Sequence, residues 1–240
     1  MDLQIATYNV HGFPWISVPI KQIANWITKN CDLVALQEVW SHHTDWSAAF
    51  AANGWVFLHP ARESHFATLF GSGLAFAWPS GRWTLRDSRQ YPFLTSIGLD
   101  MLATKGWFRI DLVDKHTGNL LRVINTHLQA DIDILPGYFK RAADSIRLNQ
   151  ARQLVKQETG SHTRSRTPTL LIGDMNTDKN IFDGFTMCPS EKAVSEFTGI
   201  DRCGYLSAFP ISVQDWRVAQ EATGWSDHLP ILWNLRVARN

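Results

Sequence analysis

Strand signals follow one another through the middle of the chain without helices between them, and this order excludes a purely parallel sheet. Residues 3–8 form a β-type run, followed by a turn and then by Ile20, Ile23, Ala24 and Ile27 at the i, i+3, i+4, i+7 spacing of an amphipathic helix. Residues 33–36 are a compact apolar run ending at Gln37-Glu38, after which Ser41 can N-cap a helix over residues 44–52. Residues 55–58, 74–78, 106–113, 121–126, 169–172 and 231–235 read as strands, and residues 144–158 as a helix carrying Leu148, Ala151, Leu154 and Val155. Parallel neighbours need a long crossover between them, so the helix-poor middle requires antiparallel pairing. The expected class is α/β or α+β layering with mixed sheets.

The chain has 240 residues, 45% of them hydrophobic, enough for a large core. No Ser/Gly-rich or low-complexity stretch separates two apolar halves and no internal repeat is present, so residues 1–240 are read as one catalytic domain. The 23 basic and 22 acidic side chains leave a net charge of +1, which argues against a strongly electrostatic nucleic-acid partner. Cys31, Cys188 and Cys203 are odd in number and lack metal-ligand spacing, as expected of reduced thiols in a cytosol-like compartment. The opening MDLQIATYNVHG has no secretory pattern, and no segment has the roughly 20 apolar residues of a membrane span. The expected location is cytoplasmic or peripheral to a membrane.

Five segments carry chemistry: TYNVHG, LQEVW, NTHLQAD, IGDMNTD and SDHLP. Each has a plain structural alternative: a turn at Asn9 and Gly12, an exposed Glu38, a core His127, an Asx-type turn at Asp174 to Asn176, and an ion pair at Asp227-His228. Their positions are not scattered. Asn9, Glu38, His127, Asp174 and Asn176 fall at or just after the ends of expected strands, and Asp227-His228 immediately precedes one, so they belong on loops at the rim of a sheet. Asn9, Glu38, Asp174 and Asp227 offer the oxygen ligands a hard divalent ion needs, and no Cys/His cluster competes for Zn²⁺. Two histidines then remain for proton transfer and charge stabilisation, a division of labour that suits phosphoryl chemistry.

The order and wording of these motifs resemble the endonuclease/exonuclease/phosphatase superfamily from residue 7 to about residue 231. The resemblance implies a four-layer α/β/β/α sandwich with two packed mixed sheets and a site at one end. It implies Mg²⁺, or Mn²⁺ in its place, with Glu38 as principal ligand, Asn9 orienting metal or phosphate, and Asp227 near metal or base. His228 would activate the attacking water, Asp201 would orient His228, and His127 would donate to a nonbridging phosphate oxygen. Asp174 and Asn176 would position the nucleophile or leaving group. The Arg-Cys-Gly-Tyr after Asp201 departs from the apolar strand of that pattern and leaves a surface acid as the alternative there.

Within the superfamily the wording is closest to the neutral sphingomyelinases. Asp100-x₄-Lys105-Gly106, Thr126-His-Leu-Gln-Ala130, and Arg147 with Gln150 carry this resemblance, which implies sphingomyelin as substrate and Lys105 as a substrate contact. A solvated lysine at a strand start is the alternative for Lys105. Independently of the family, Phe13, Pro14, Trp15 and Ile16 follow Asn9, and Ile132, Ile134, Leu135, Tyr138 and Phe139 follow His127. Apolar residues beside a catalytic rim suggest contact with a phospholipid or membrane surface, through Trp15 and Phe139, unless they fold back over the core. Trp225 is expected at the pocket edge, and Trp78 and Trp107 in the core. The rival readings are a DNA or abasic-site nuclease, with Arg62, Arg82, Arg86 and Arg89 tracking phosphates, and an inactive scaffold. No protein partner is indicated.

Overall fold

The computed structural model describes residues 1–60, 70–131, 138–160, 167–189, 200–206 and 210–238, with side chains of the third helix described from residue 141 onward. Strand β1 (Asp2–Asn9) leads into helix α1 (Ile20–Asn30), then β2 (Leu33–Gln37), α2 (His43–Ala51), β3 (Trp55–Leu58) and β4 (Ala75–Pro79). The middle of the chain is β5 (Trp83–Pro92), β6 (Gly106–Asp114) and β7 (Leu120–His127), followed by α3 (Tyr138–Gly160) and β8 (Thr169–Asp174). The chain finishes with β9 (Phe185–Met187), β10 (Asp201–Leu206), β11 (Ile211–Val218) and β12 (Ile231–Val237).

These strands make two six-stranded mixed sheets, ordered β11-β12-β1-β2-β4-β3 and β5-β6-β7-β8-β10-β9. Only β1 with β2, and β7 with β8, run parallel. Each parallel pair is joined by a segment containing a helix, α1 and α3, which packs on the outer face of its sheet. The inner faces meet in one apolar core that includes Ile5, Phe76, Trp78, Phe108, Ile110 and Trp233. The result is the expected four-layer sandwich, held by burial of continuous apolar area between the sheets. No helix among the described residues is long and apolar enough to cross a membrane.

Two local expectations are corrected and one further strand is found. Ser41 does not cap α2: the residue before the helix is His42, in the left-handed region at φ 58°, and the Ser41 hydroxyl donates instead to the Gly12 carbonyl at 3.1 Å. Strand β5 has no apolar run because it is a sheet edge with polar, exposed residues along much of its length. The sequence after Asp201 does form a strand, β10, pairing with β8 through Asp201↔Asp174 and Cys203↔Ile172. Its Cys203 and Gly204 are buried between β8 and β9, which the charged Arg202 conceals in the sequence.

One glycine allows the parallel pair at the rim. Gly173, opposite Thr126, has φ 145°, and a Cβ there would run into the Thr126 carbonyl. Gly173→Ala should therefore destabilise the protein by about 2–4 kcal/mol. Thermal unfolding should show a midpoint lowered by roughly 5–10 °C, and an unchanged midpoint would refute the close approach.

Candidate active site

The parallel pairs place four strand ends at one end of the sandwich. Asn9 closes β1 and Glu38 follows β2 in the first sheet, while His127 and Asp174 close β7 and β8 in the second and face each other in register. Asp201 opens β10 directly across from Asp174, and Asp227-His228 lie in the loop leading to β12. Residues 219 positions apart in the chain thus share one rim because β12 returns antiparallel beside β1.

The contacts join the two sheets. The Asn9 side-chain amide donates to Glu38 Oε1 at 3.0 Å and to Asp174 Oδ2 at 3.1 Å. His228 Nδ1 meets Asp201 Oδ2 at 2.6 Å, and its Nε2 lies 3.9 Å from Asp174 Oδ2. His127 Nε2 lies 3.6 Å from the same Asp174 oxygen. Asn176 donates its backbone N–H to Asp174 Oδ1 at 2.9 Å and its side-chain amide to the Leu128 carbonyl at 3.1 Å. Asp174 is therefore the hub, touched from four elements. Glu38 at φ 57°, Asn176 at φ 48° and His11 at φ 48° are three of the four non-glycine residues in the left-handed region among those described. Such conformations are costly and concentrate where the surroundings hold a side chain to a fixed aim.

Asp201 is fully buried, so the surface-acid alternative does not hold. Its burial raises the carboxyl to about 7 against the pull of His228. Burial alone would lower His228, but Asp201, Asp174 and Asp227 outweigh it and lift the imidazole to about 10. Both partners move upward, so a proton stays between Nδ1 and Oδ2 at neutral pH, and this bond fixes the orientation of the ring with Nε2 toward Asp174. His127 moves the other way, because burial and the nearby Lys105 ammonium hold it below the ordinary histidine range. Asp174 is kept ionised: burial opposes this, but the charged His228, the Asn176 N–H and the Lys105 ammonium prevail. The site thus pairs one histidine held charged with one held neutral.

Sequence reasoning passed over His11. Its Nδ1 contacts Asp227 Oδ2 at 2.7 Å, and that hydrogen bond raises its pKa. Asp227 is half exposed at the mouth, tied to His11 and to the Ser226 hydroxyl at 3.0 Å, with no described contact to Glu38 or Asn9. His11 also donates its N–H to the Asn9 side-chain oxygen at 3.1 Å. Gln37 and Asn125 were missed as well. Their side chains meet at 2.8 Å beneath the site, and Asn125 also donates to the Leu36 and Ala75 carbonyls.

The donor set suits a hard cation. Glu38 and Asp174 both converge on the Asn9 amide, a neutral group between two negative ones, and their oxygens are the chemistry that Mg²⁺ or Mn²⁺ prefers. Asp174, Asp201 and His228 also offer three donor atoms within 4.8 Å of one another. Nδ1 of His228 is already committed to Asp201, however, so the Glu38 and Asp174 carboxylates, which share the Asn9 amide, are the groups that could hold the ion.

The three residues expected to touch substrate have different fates. Trp15 is 71% exposed and leans on Phe13 at 5.0 Å and Phe70 at 6.2 Å, with Trp40 completing the aromatic group. The side chain of Phe139, like residues 132–137, lies outside the described residues. Lys105 is buried, not solvated: its ammonium donates to the Leu128 carbonyl at 2.8 Å and pairs with Asp100 at 3.1 Å. Trp225 leans toward α1, packing on Trp26 at 6.4 Å, while Trp78 and Trp107 are core as expected. Arg82 lies at the opposite end, bound to Asp32 and the Asp2 carbonyl, and Arg89 pairs with Asp87 midway along β5. Arg62 is outside the described residues.

Comparison with curated proteins returned no match. Among solved structures, sphingomyelinase C from Streptomyces griseocarneus is 19% identical with a TM-score of 0.72, covering 98% of this chain and 99% of that one. D. rerio TDP2 complexed with single strand DNA product is 14% identical with a TM-score of 0.71, over 98% and 99% of the two chains. Beta toxin from Staphylococcus aureus, a mutant with bound magnesium ions, is 15% identical with a TM-score of 0.68, again over 98% and 99%. At these identities the likeness is one of fold. The family model matches residues 6–230, from β1 to the loop before β12, and so spans every site residue described above. The chain belongs to the Endonuclease/Exonuclease/phosphatase family.

Proposed function

We propose that this chain is a Mg²⁺-dependent phosphodiesterase that hydrolyses a phospholipid-type phosphodiester, with sphingomyelin, cleaved to ceramide and phosphocholine, as the leading substrate. Family membership supports hydrolysis of phosphodiesters as the reaction class. The observation that carries the mechanism is the buried Asp201–His228 pair, aimed at Asp174 beside the Asn9–Glu38 contact.

In this reading Asp201 orients His228, whose Nε2 takes the proton of the attacking water as its oxygen bonds to phosphorus. The ester P–O bond breaks, and the departing alkoxide is reprotonated from solvent. Neutral His127 donates a hydrogen bond to a nonbridging phosphate oxygen. Asp174 and Asn176 fix the position of the reacting oxygens, and Asp227, held by His11, borders the mouth. Glu38 and Asp174, aligned by the Asn9 amide, would hold the ion, which when bound neutralises phosphate charge and lowers the affinity of nearby His228 for its proton.

The substrate reading rests on the rim. Trp15 stands out from an aromatic group at the mouth, where a phospholipid surface would be met, and Arg82 and Arg89, two of the arginines that would track a nucleic-acid backbone, lie elsewhere. Lys105 supports the floor of the site through the Leu128 carbonyl, and any contact with substrate would be indirect. A membrane-peripheral enzyme fits this rim. Sphingomyelinases and a DNA-bound relative share the fold, so a nuclease is the alternative reading.

Glu38→Gln should weaken Mg²⁺ binding by at least about tenfold, a loss of roughly 1.4 kcal/mol, in calorimetric titration. Unchanged affinity would remove Glu38 from the ligand set. His228→Ala should keep the fold, by circular dichroism, and lose most turnover; activity above about a tenth of wild type, a loss under roughly 1.4 kcal/mol, would exclude it as the base. Because the carboxylate of Asp201 raises His228, Asp201→Asn should move the acid limb of the pH–rate profile to lower pH while lowering the plateau. A limb that stays in place would deny the coupling. Finally, sphingomyelin, phosphatidylcholine, plasmid DNA and abasic DNA should be compared with Mg²⁺ and with chelator. The expected pattern is chelator-sensitive cleavage of lipid only, and cleavage of DNA alone would establish the alternative.

A further inference from the structure

Seven large hydrophobic side chains are exposed among the described residues, and five of them lie on one rim: Trp15, Leu94, Leu99, Met101 and Leu102. Four belong to the loop between β5 and β6. This loop is at the catalytic end, because Pro92 and Gly106 pair there and Trp107 pairs with Thr126, the neighbour of His127. It is continuous with the Trp15 group: the Phe70 N–H donates to the Leu102 carbonyl at 2.9 Å, Phe70 bridges to Ala103, and the Phe70 ring meets Trp15 at 6.2 Å.

The leucines are not exposed for want of order. Side chains pin the loop backbone at successive points. Gln153 accepts from the Leu94 N–H at 3.1 Å and donates to the Pro92 carbonyl at 3.0 Å, and Gln150 donates to the Thr95 carbonyl at 2.8 Å. Gln129, two residues after His127, accepts from the Ile97 N–H at 2.9 Å and donates to its carbonyl at 3.2 Å. The loop is therefore a rigid platform whose apolar side chains point away from the core. An exposed apolar surface of this kind marks an interaction site, and pre-ordering removes much of the entropy cost of engaging a partner.

Its charge selects the partner. From Phe93 to Thr104 the only ionisable side chain is Asp100, which is consumed by Lys105 at 3.1 Å and by the Ala130 N–H at 2.8 Å. A platform with no free charge has no attraction for a polyanion or an anionic lipid layer. It matches an electrically neutral bilayer surface, into which Leu94, Leu99, Met101 and Leu102 can insert while Trp15 sits among the headgroups. We propose that the loop between β5 and β6 docks the enzyme on zwitterionic phospholipid bilayers and presents the catalytic rim to the headgroup layer. This inference rests on the phospholipid reading of the site, and it adds the surface by which that substrate is met.

The test combines two readouts on the intact chain with Mg²⁺: co-sedimentation with zwitterionic vesicles of phosphatidylcholine and sphingomyelin, and hydrolysis of soluble bis(4-nitrophenyl) phosphate. The triple variant Leu94→Ser, Leu99→Ser, Met101→Gln removes exposed groups only, outside the catalytic set. Its vesicle partition coefficient should fall by at least about a thousandfold, since three such side chains each contribute roughly tenfold or more when inserted. Soluble-ester turnover should be unchanged, and raised salt should not release the wild type. Equal binding by the variant, no binding by the wild type, or binding confined to anionic vesicles and reversed by salt would overturn the proposal. The two readings fail separately. Wild type that docks without cleaving vesicle lipid upholds the platform and refutes the substrate, whereas a variant that cleaves vesicle lipid as fast as wild type refutes the platform alone.

Discussion

Two apolar sheets can slide against each other, because burial has no direction; hydrogen bonds between them do. In this sandwich a buried group of such contacts lies at one end. Gln37 meets Asn125, Asn125 reaches the backbones of β2 and β4, Asn9 meets Asp174, and His228 meets Asp201, each bond joining one sheet to the other. Buried polar groups of this kind stabilise only when paired, and an unpaired partner is costly in a low-dielectric interior. The register of the two sheets and the geometry of the catalytic rim are therefore one property. Moving one sheet by a residue would break all of these bonds together.

That coupling explains how the site holds opposed charge states within a few ångströms. Asp174 is shared by His127 at 3.6 Å and His228 at 3.9 Å, yet the two imidazoles are pushed in opposite directions. The difference is not distance to Asp174 but the surroundings of each ring: a second carboxylate behind His228, and burial together with the Lys105 ammonium at His127. Lys105 is held in turn by Asp100, so an ion pair at the base of the β5–β6 loop helps to set the electrostatics of the rim.

The parts of this arrangement that were legible in the sequence share a local cause. Strands such as Leu33–Gln37 and Thr169–Asp174 are buried on both faces, so their apolar runs are uninterrupted and the polar residues that end them stand out. Glu38, Asp174 and His127 were found that way. β5 was hidden because an exposed edge strand reads as polar, and β10 because Arg202 and Gly204 break its run. His11 and the Gln37–Asn125 bond were invisible for a different reason. Their partners are 216 and 88 residues away, and no local spacing encodes such a meeting.

The return of β12 beside β1 has a temporal consequence. The Ser226 hydroxyl donates to the Asn9 carbonyl across 217 residues, and β1 has a β12 neighbour from Asp2 to Thr7. Closing so long a loop comes at a high entropic cost before its contacts can repay it, and contacts this distant slow folding. During synthesis β1, β2, β7 and β8 can all exist while His228 is still unmade or within the ribosome. The rim is thus completed only with closure of the first sheet.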